Sequence, residues 1–198
     1  MKVRPTALEG AYTVEPEHLD DIRGTFYEAL RTEELEQATG RPFVVSQVNY
    51  SVSRYNTLRG LHGVTDPPGQ AKVVTCVRGA LRDIIVDLRP QSPTFGDWHV
   101  SVLDAARGNA VLIPEGFGHG FLALTDDTCV CYLLSTVHVP GTQIDIDPLD
   151  PELALPWGFE EPPLMSHKDA RAQSLRSALA SGVLSSRFPE DVIDLDRG

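Results

Sequence analysis

Residues 58–89, LRGLHGVTDPPGQAKVVTCVRGALRDIIVDLR, constrain the fold more than any other part of the chain. They set two extended segments about a Pro-Gly turn, with His62 on the first and Lys72 on the second, and then enter a β-branched segment that reads as buried sheet. On the second segment Lys72, Val74 and Cys76 share one face and Val73, Thr75 and Val77 the other. A lysine among so many β-branched neighbours either sits at a strand end and reaches water or is held for a charge inside a pocket. Arg78-Gly79 then makes a turn, and residues 81–88 read as a further buried strand.

The same punctuation extends both ways along the chain. Residues 7–14 read as a short strand and residues 20–28 as a turn feeding a strand, with Gly24 permitting a backbone angle that other residues resist. Residues 32–40 read as a brief surface helix with Thr32 as its cap, Glu33 and Glu34 in its first turn and Gly40 as its stop. Residues 43–54 alternate, with Gln47, Asn49, Ser51 and Ser53 on one face and Val48, Tyr50 and Val52 on the other. In a half-exposed strand such a polar face meets water; in a small barrel it lines a cavity. Strands follow at 98–103, 110–113 and 128–135, the last after a hairpin turn at Thr125-Asp126-Asp127. Glycines crowd around His119, so the backbone there turns tightly and comes close to something. A proline-rich, acidic surface loop follows Pro140, and Ser166 opens a last helix running to about Ser181, with Gly182 just past its end. Many short strands and two brief helical segments give an all-β sandwich or barrel with short peripheral helices. Residues 1–184 read as one domain and residues 185–198 as a polar, mobile tail.

Charge narrows the partners. Seventeen lysines and arginines against 28 acidic residues give a formal charge of -11, which argues against a broad nucleic-acid surface. An anionic small ligand still fits if basic residues are gathered locally. Cys76, Cys129 and Cys131 lie in apolar runs without CxxC spacing, so they read as buried thiols in a reducing compartment. No stretch approaches the roughly 18 apolar residues of a membrane span, and no basic start precedes an apolar run, so the expectation is a soluble, cytoplasmic protein.

Several motifs recur in an order that is specific only in combination. They are Arg23-Gly24, Gln47-x-Asn49-x-Ser51, Leu58-Arg59-Gly60-Leu61-His62, Gln70-Ala71-Lys72, Val86-Asp87-Leu88-Arg89 with Ser92-Pro93-Thr94-Phe95-Gly96, and the run from Pro114 to Phe121. Tyr132, Asp150-Pro151 and Ser166-x-Lys168-Asp169 complete the set. On these residues the chain, from about residue 10 to 184, resembles the dTDP-4-dehydrorhamnose 3,5-epimerase family of cupin-fold sugar-nucleotide enzymes. The resemblance implies a double-sheet jelly-roll (cupin) barrel, homodimeric, with no metal and no cofactor, acting on a dTDP-4-keto-6-deoxyhexose at carbon 3, carbon 5 or both. The residues bear independently on the metal: only His62 and His119 stand where metal-binding cupins carry ligands, and a Zn or non-haem Fe site needs three or four.

A hydrogen next to a ketone is acidic because the departing electrons rest on the carbonyl oxygen as an enolate. Inversion needs a base on one face, stabilisation of the enolate and an acid on the other face. The resemblance implies that His62 is the base, that Asp169 orients it, that Lys72 faces the ketone oxygen and that Tyr132 returns the proton. Read without it, His62 is a satisfied core histidine, Tyr132 a core tyrosine, and Asp169, three residues after Ser166, a helix cap. The resemblance further implies that Arg23, Arg59 and Lys168, with His119, supply positive charge for diphosphate and sugar, while Phe26, Glu28, Gln47 and Asn49 add sugar and thymine contacts. His138 and Gln143 stand where the family commonly has a tyrosine and a glutamate, on the loop expected near the substrate, which leaves the nucleotide-side contacts and the carbon inverted open. The alternatives are a single-position 3- or 5-epimerase, a non-catalytic sugar-nucleotide binder and a metal-dependent cupin oxygenase. Having a base, a cation and an acid together disfavours the binder.

Overall fold

The computed structural model describes residues 1–184; the tail expected at 185–198 lies outside the described residues. Among these residues, two antiparallel sheets face each other. The first has six strands in the order β1 (Lys2–Pro5), β2 (Tyr12–Glu15), β10 (Ala110–Ile113), β7 (Lys72–Arg78), β12 (Thr128–Leu134) and β5 (Gln47–Ser53). The second has five, in the order β13 (Gln143–Asp145), β6 (Leu58–Val64), β11 (Phe117–Ala123), β8 (Ala80–Asp87) and β9 (Trp98–Asp104). A small hairpin of β3 (His18–Asp21) and β4 (Gly24–Tyr27) stands apart from both. From β6 to β8, and again from β9 to β13, consecutive strands alternate between the two sheets, which is the double-sheet jelly roll.

That alternation corrects the hairpin expected at Thr125-Asp126-Asp127. The turn carries the chain from β11 in one sheet to β12 in the other, because both edges of each strand are already taken: β11 pairs with β6 and β8, β12 with β5 and β7. The N-terminal strand also differs from expectation. Thr6 bonds Leu8 through its hydroxyl and Ala11 N–H donates to Leu8 O, so residues 6–11 turn and split the expected strand into β1 and β2. Helix α1 (Thr32–Thr39) stops at Gly40 with φ +72° as expected, but Thr32 is its first residue rather than its cap; Arg31 holds that position with its side chain on Glu28 and Glu34. The last helix is broken in two. A 3-10 turn, Asp169–Arg171, gives way at Ala172 to extended backbone, where Gln173 bridges Ile146, before α2 (Leu175–Ala180) starts behind the capping Ser174.

An apolar cluster of Val74, Cys76, Leu81, Ile85, Leu103, Phe121 and Val130 fills much of the space between the sheets. At roughly 1.5–3 kcal/mol for each fully buried large side chain, it holds the sandwich closed while polar residues interrupt it around β5, β6, β11 and β12. A second cluster packs Trp157, Leu175 and Ala178 of the C-terminal segment on Leu58, Leu61 and Ile84 of the second sheet, and a third packs Leu35 and Phe43 near Val73 and Leu112 of the first. On β5 the alternation resolves against the ordinary pattern: Val48, Tyr50 and Val52 are the exposed face, at 47%, 65% and 53%, while Ser53 is buried and Gln47 and Ser51 are partly so. Antiparallel register puts Gln47, Asn49 and Ser51 on the same face as Leu134, Tyr132 and Val130.

The backbones of β6 and β11 approach so closely that only glycine fits. A Cβ on Gly60, whose φ is +119°, would lie 2.5 Å from Gly120 Cα and 2.7 Å from His119 O. Gly60 separates Arg59 from His62, so this contact fixes how both project. Gly60→Ala is therefore expected to cost about 2–4 kcal/mol, read as a lowered urea midpoint, with activity falling in the fraction that remains folded.

Candidate active site

His62 lies on β6 in a cross-strand row with Asp145 of β13 and His119 of β11. Its Nε2 is 2.8 Å from Asp169 Oδ1. Asp169 is buried, its other oxygen 3.5 Å from Gly60 N, and its own N–H donates to Ser166 Oγ at 3.0 Å. Ser166 thus caps the turn, and the Asp169 side chain is spent on His62 rather than on a helix end. A carboxylate facing Nε2 keeps the proton there and leaves Nδ1 as the basic nitrogen. Asp145 Oδ1 is 3.8 Å from His62 Nε2 and forms an ion pair with Lys168 Nζ at 2.9 Å.

Lys72, at the start of β7, directs Nζ to His62 O at 3.4 Å. Burial lowers its pKa to about 8, so the ammonium is retained at neutral pH but weakly solvated. Tyr132 comes from the opposite sheet to His62, and its hydroxyl is 3.1 Å from Ser51 Oγ. Burial, aided by the Asp83 charge and opposed by Ser51 and Arg59, raises the phenol to about 12 and keeps its proton on. The His119 ring meets Tyr132 edge-on at 6.1 Å between centroids, and its Nε2 is 2.5 Å from Asp83 Oδ2, both groups buried. Arg59 Nε donates to Ser53 Oγ at 3.1 Å.

A cavity of about 110 Å³ brings together His62, Lys72, His138 and Gln143. A cleft of about 360 Å³ on the other side of His62 brings together Arg59, Ser166, Lys168 and Asp169. Gln47 Oε1 accepts from His138 N–H at 3.0 Å and its amide donates to Asn49 Oδ1 at 2.9 Å, while Asn49 remains exposed. Tyr132, His119, Gln47 and Asn49 line neither space, and nor do Arg23, Phe26 and Glu28: Arg23 pairs with Asp21 at the hairpin tip, Glu28 with Arg31, and Phe26 is 69% exposed. Sequence reasoning missed Asp83, Asp145 and Ser51 as members of this constellation. Asp83 carried a signal, being an acid beside the apolar Ile84-Ile85-Val86 run of a buried strand, where charge is costly unless paired. Among the described residues no group of three or more His, Cys, Asp or Glu side chains is placed to hold a metal.

Residues 5–177 match the family model described as dTDP-4-dehydrorhamnose 3,5-epimerase. The chain belongs to this family. A dTDP-4-dehydrorhamnose 3-epimerase of Streptomyces niveus is 45% identical over 93% of this chain and 88% of its own length. A dTDP-4-dehydro-6-deoxyglucose 3-epimerase of Streptomyces bikiniensis is 43% identical over 92% and 93%. Among solved structures, a 4-keto-6-deoxy sugar epimerase from the novobiocin gene cluster of Streptomyces spheroides superimposes with TM-score 0.91 at 44% identity, covering 94% of this chain and 93% of that one. An epimerase of Mycobacterium tuberculosis does so with TM-score 0.91 at 41% identity, covering 96% of each. Within the epimerase family framework, the buried Lys72 makes a testable trade. Its pKa falls from 10.5 to about 8 on folding, so between these values the unfolded chain holds a proton that the folded one lacks, and stability rises with pH across that window. Lys72→Met is expected to stabilise the fold by on the order of 3 kcal/mol below pH 8, a gain that fades by pH 10.5 in melting curves, while turnover drops about a hundredfold or more.

Proposed function

We propose that the protein epimerises a dTDP-4-keto-6-deoxyhexose next to its ketone, with His62 and Tyr132 working from opposite faces of the sugar. One observation carries this: a histidine whose Nε2 is committed to a buried carboxylate on one sheet, and a proton-bearing phenol on the facing sheet. His62 Nδ1 takes the proton on carbon, Asp169 stabilises the imidazolium, and the Lys72 ammonium meets the charge building on the ketone oxygen. Tyr132 then delivers a proton to the other face. Arg59 and Lys168, in one cleft with His62, meet the diphosphate, and His138 and Gln143 lie toward the nucleotide with Gln47 and Asn49 bonded behind His138; His119 is assigned to the sugar by the family resemblance. The reaction as proposed needs no metal or cofactor, residues 1–184 act as one domain, and the cytoplasm is the proposed compartment, in keeping with three free cysteines. No helix among the described residues is long and apolar enough to cross a membrane. Inversion at carbon 3 alone is a second reading, favoured by the 3-epimerase names of the relatives at 45% and 43% identity.

Proton NMR of the nucleotide of 4-keto-6-deoxyglucose in deuterated buffer reads carbons 3 and 5 separately. Tyr132→Phe is expected to keep deuterium exchange at the reacting carbon while inversion falls about a hundredfold or more, and His62→Asn to abolish both. Inversion by Tyr132→Phe near the parent rate would remove the phenol from the mechanism.

The active form is proposed to be a homodimer. Arg23, Phe26 and Glu28 fall short of the His62 spaces in a single chain, and two apolar surfaces lie uncovered: Val48, Tyr50 and Val52 on β5, and Leu19, Ile22 and Phe26 on the hairpin. A second copy covers the strand face and offers its hairpin to the site. Sedimentation is expected to give twice the 21.7 kDa of one chain, and Tyr50→Glu to yield single chains with weakened substrate binding. A parent protein that sediments as one chain would contradict the dimer.

A further inference from the structure

We propose that Ser51 is the positioning residue of Tyr132: its hydroxyl aims the phenol at the substrate and hands back the proton that Tyr132 loses in each turnover. This rests on the reading of Tyr132 as the acid. Of the groups around Tyr132, the His119 ring is tied through Nε2 to Asp83, and Arg59 is tied through Nε to Ser53. Cys129 lies on the opposite face of β12, across from Val52. Ser51, on the sheet-edge strand β5, is the hydrogen-bond partner of the Tyr132 hydroxyl among the described residues, and it is only partly buried. Its environment suits the task, since a buried phenol that keeps its proton so firmly gives it up only if the phenolate is met by a donor at once.

The polar face of β5 supports the assignment, because three of its four members each hold one group of the site, while Asn49 steadies Gln47. Gln47 fixes the backbone of His138, Ser51 the phenol, and Ser53 the guanidinium of Arg59. The proton balance closes without any further reactant. As the new C–H bond forms, the Tyr132 O–H bond breaks and its electron pair stays on the phenolate oxygen. The Ser51 O–H passes its proton to that oxygen while accepting one from water, and the proton that His62 took from the substrate returns to water.

The test compares Ser51→Ala with Ser51→Thr in the full-length protein, reading inversion, deuterium exchange at the reacting carbon, KM, and the 13C shift of Tyr132 Cζ at neutral pH. That resonance is assigned by its loss in Tyr132→Phe. For Ser51→Ala the expected result is a moved Cζ resonance, exchange kept, KM within twofold and inversion down about tenfold; Ser51→Thr, which restores a hydroxyl, recovers both the resonance and the inversion. An unmoved resonance with inversion unchanged overturns the link between the two side chains. A moved resonance with inversion within twofold of the parent overturns the proton return, and near-parent inversion by Tyr132→Phe would then place the failure in the acid itself. A threonine variant no better than alanine also overturns it.

Discussion

The 2.8 Å contact between His62 Nε2 and Asp169 Oδ1 joins residues 107 positions apart, and the site depends on it. Without the carboxylate, the imidazole could carry its proton on either nitrogen and rotate in its space; with it, the proton is held on Nε2 and the ring has one orientation. Asp169 in turn stays in place because the C-terminal segment is pinned to the back of the second sheet by Trp157, Leu175 and Ala178. Trp157 Nε1 donates to Pro148 O at 2.7 Å, and Asp150 Oδ2 accepts from Leu175 N–H at 2.8 Å. The long loop after the barrel thereby holds the carboxylate beside His62 rather than merely wrapping the surface.

Electrostatics run opposite to the bulk composition. A chain of net charge -11 sets Lys72, Arg59 and Lys168 around one histidine; Arg59 and Lys168 face solvent, while Lys72 sits where the lower dielectric strengthens its hold on an anion. The cost falls on stability: Lys72 is weakly solvated, and Asp83 and His119 are buried beside each other. Polar groups of this kind are tolerated because each has a partner, whereas a half-paired set would favour an apolar core.

The strands of the central region were legible from their β-branched runs, since a buried strand has to be both short and apolar. Which strand pairs with which was not, because turns such as Thr125-Asp126-Asp127 look alike whether they close a hairpin or cross between sheets. The motif order singled out His62, Lys72, Tyr132 and Asp169 as candidates, and the fold brings His62 to Asp169 and Lys72. It did not show Ser51 or Asp83 as partners, because a partner on another strand leaves no mark in local periodicity. The polar face of β5 was ambiguous for the same reason: whether it met water or a cavity depended on sheet curvature. Arg23, Phe26 and Glu28 lie away from both spaces beside His62, on a hairpin whose position relative to the sheets leaves no local signal in the sequence.

The crossing of consecutive strands between the two sheets also bears on how the molecule is made. Val14 pairs with Ala110 in the first sheet and Val64 with Gln143 in the second, so neither sheet closes until most of the chain has left the ribosome. Such separations lengthen the search for native contacts and place the fold among the slower topologies. Until β12 is in place, β5 lacks its pairing partner, and its Val48, Tyr50 and Val52 face stays exposed even in the finished chain. The nascent chain thus carries an open, apolar strand edge for much of its synthesis, which makes the crowded cell, more than the finished structure, the place where substitutions in this region are judged.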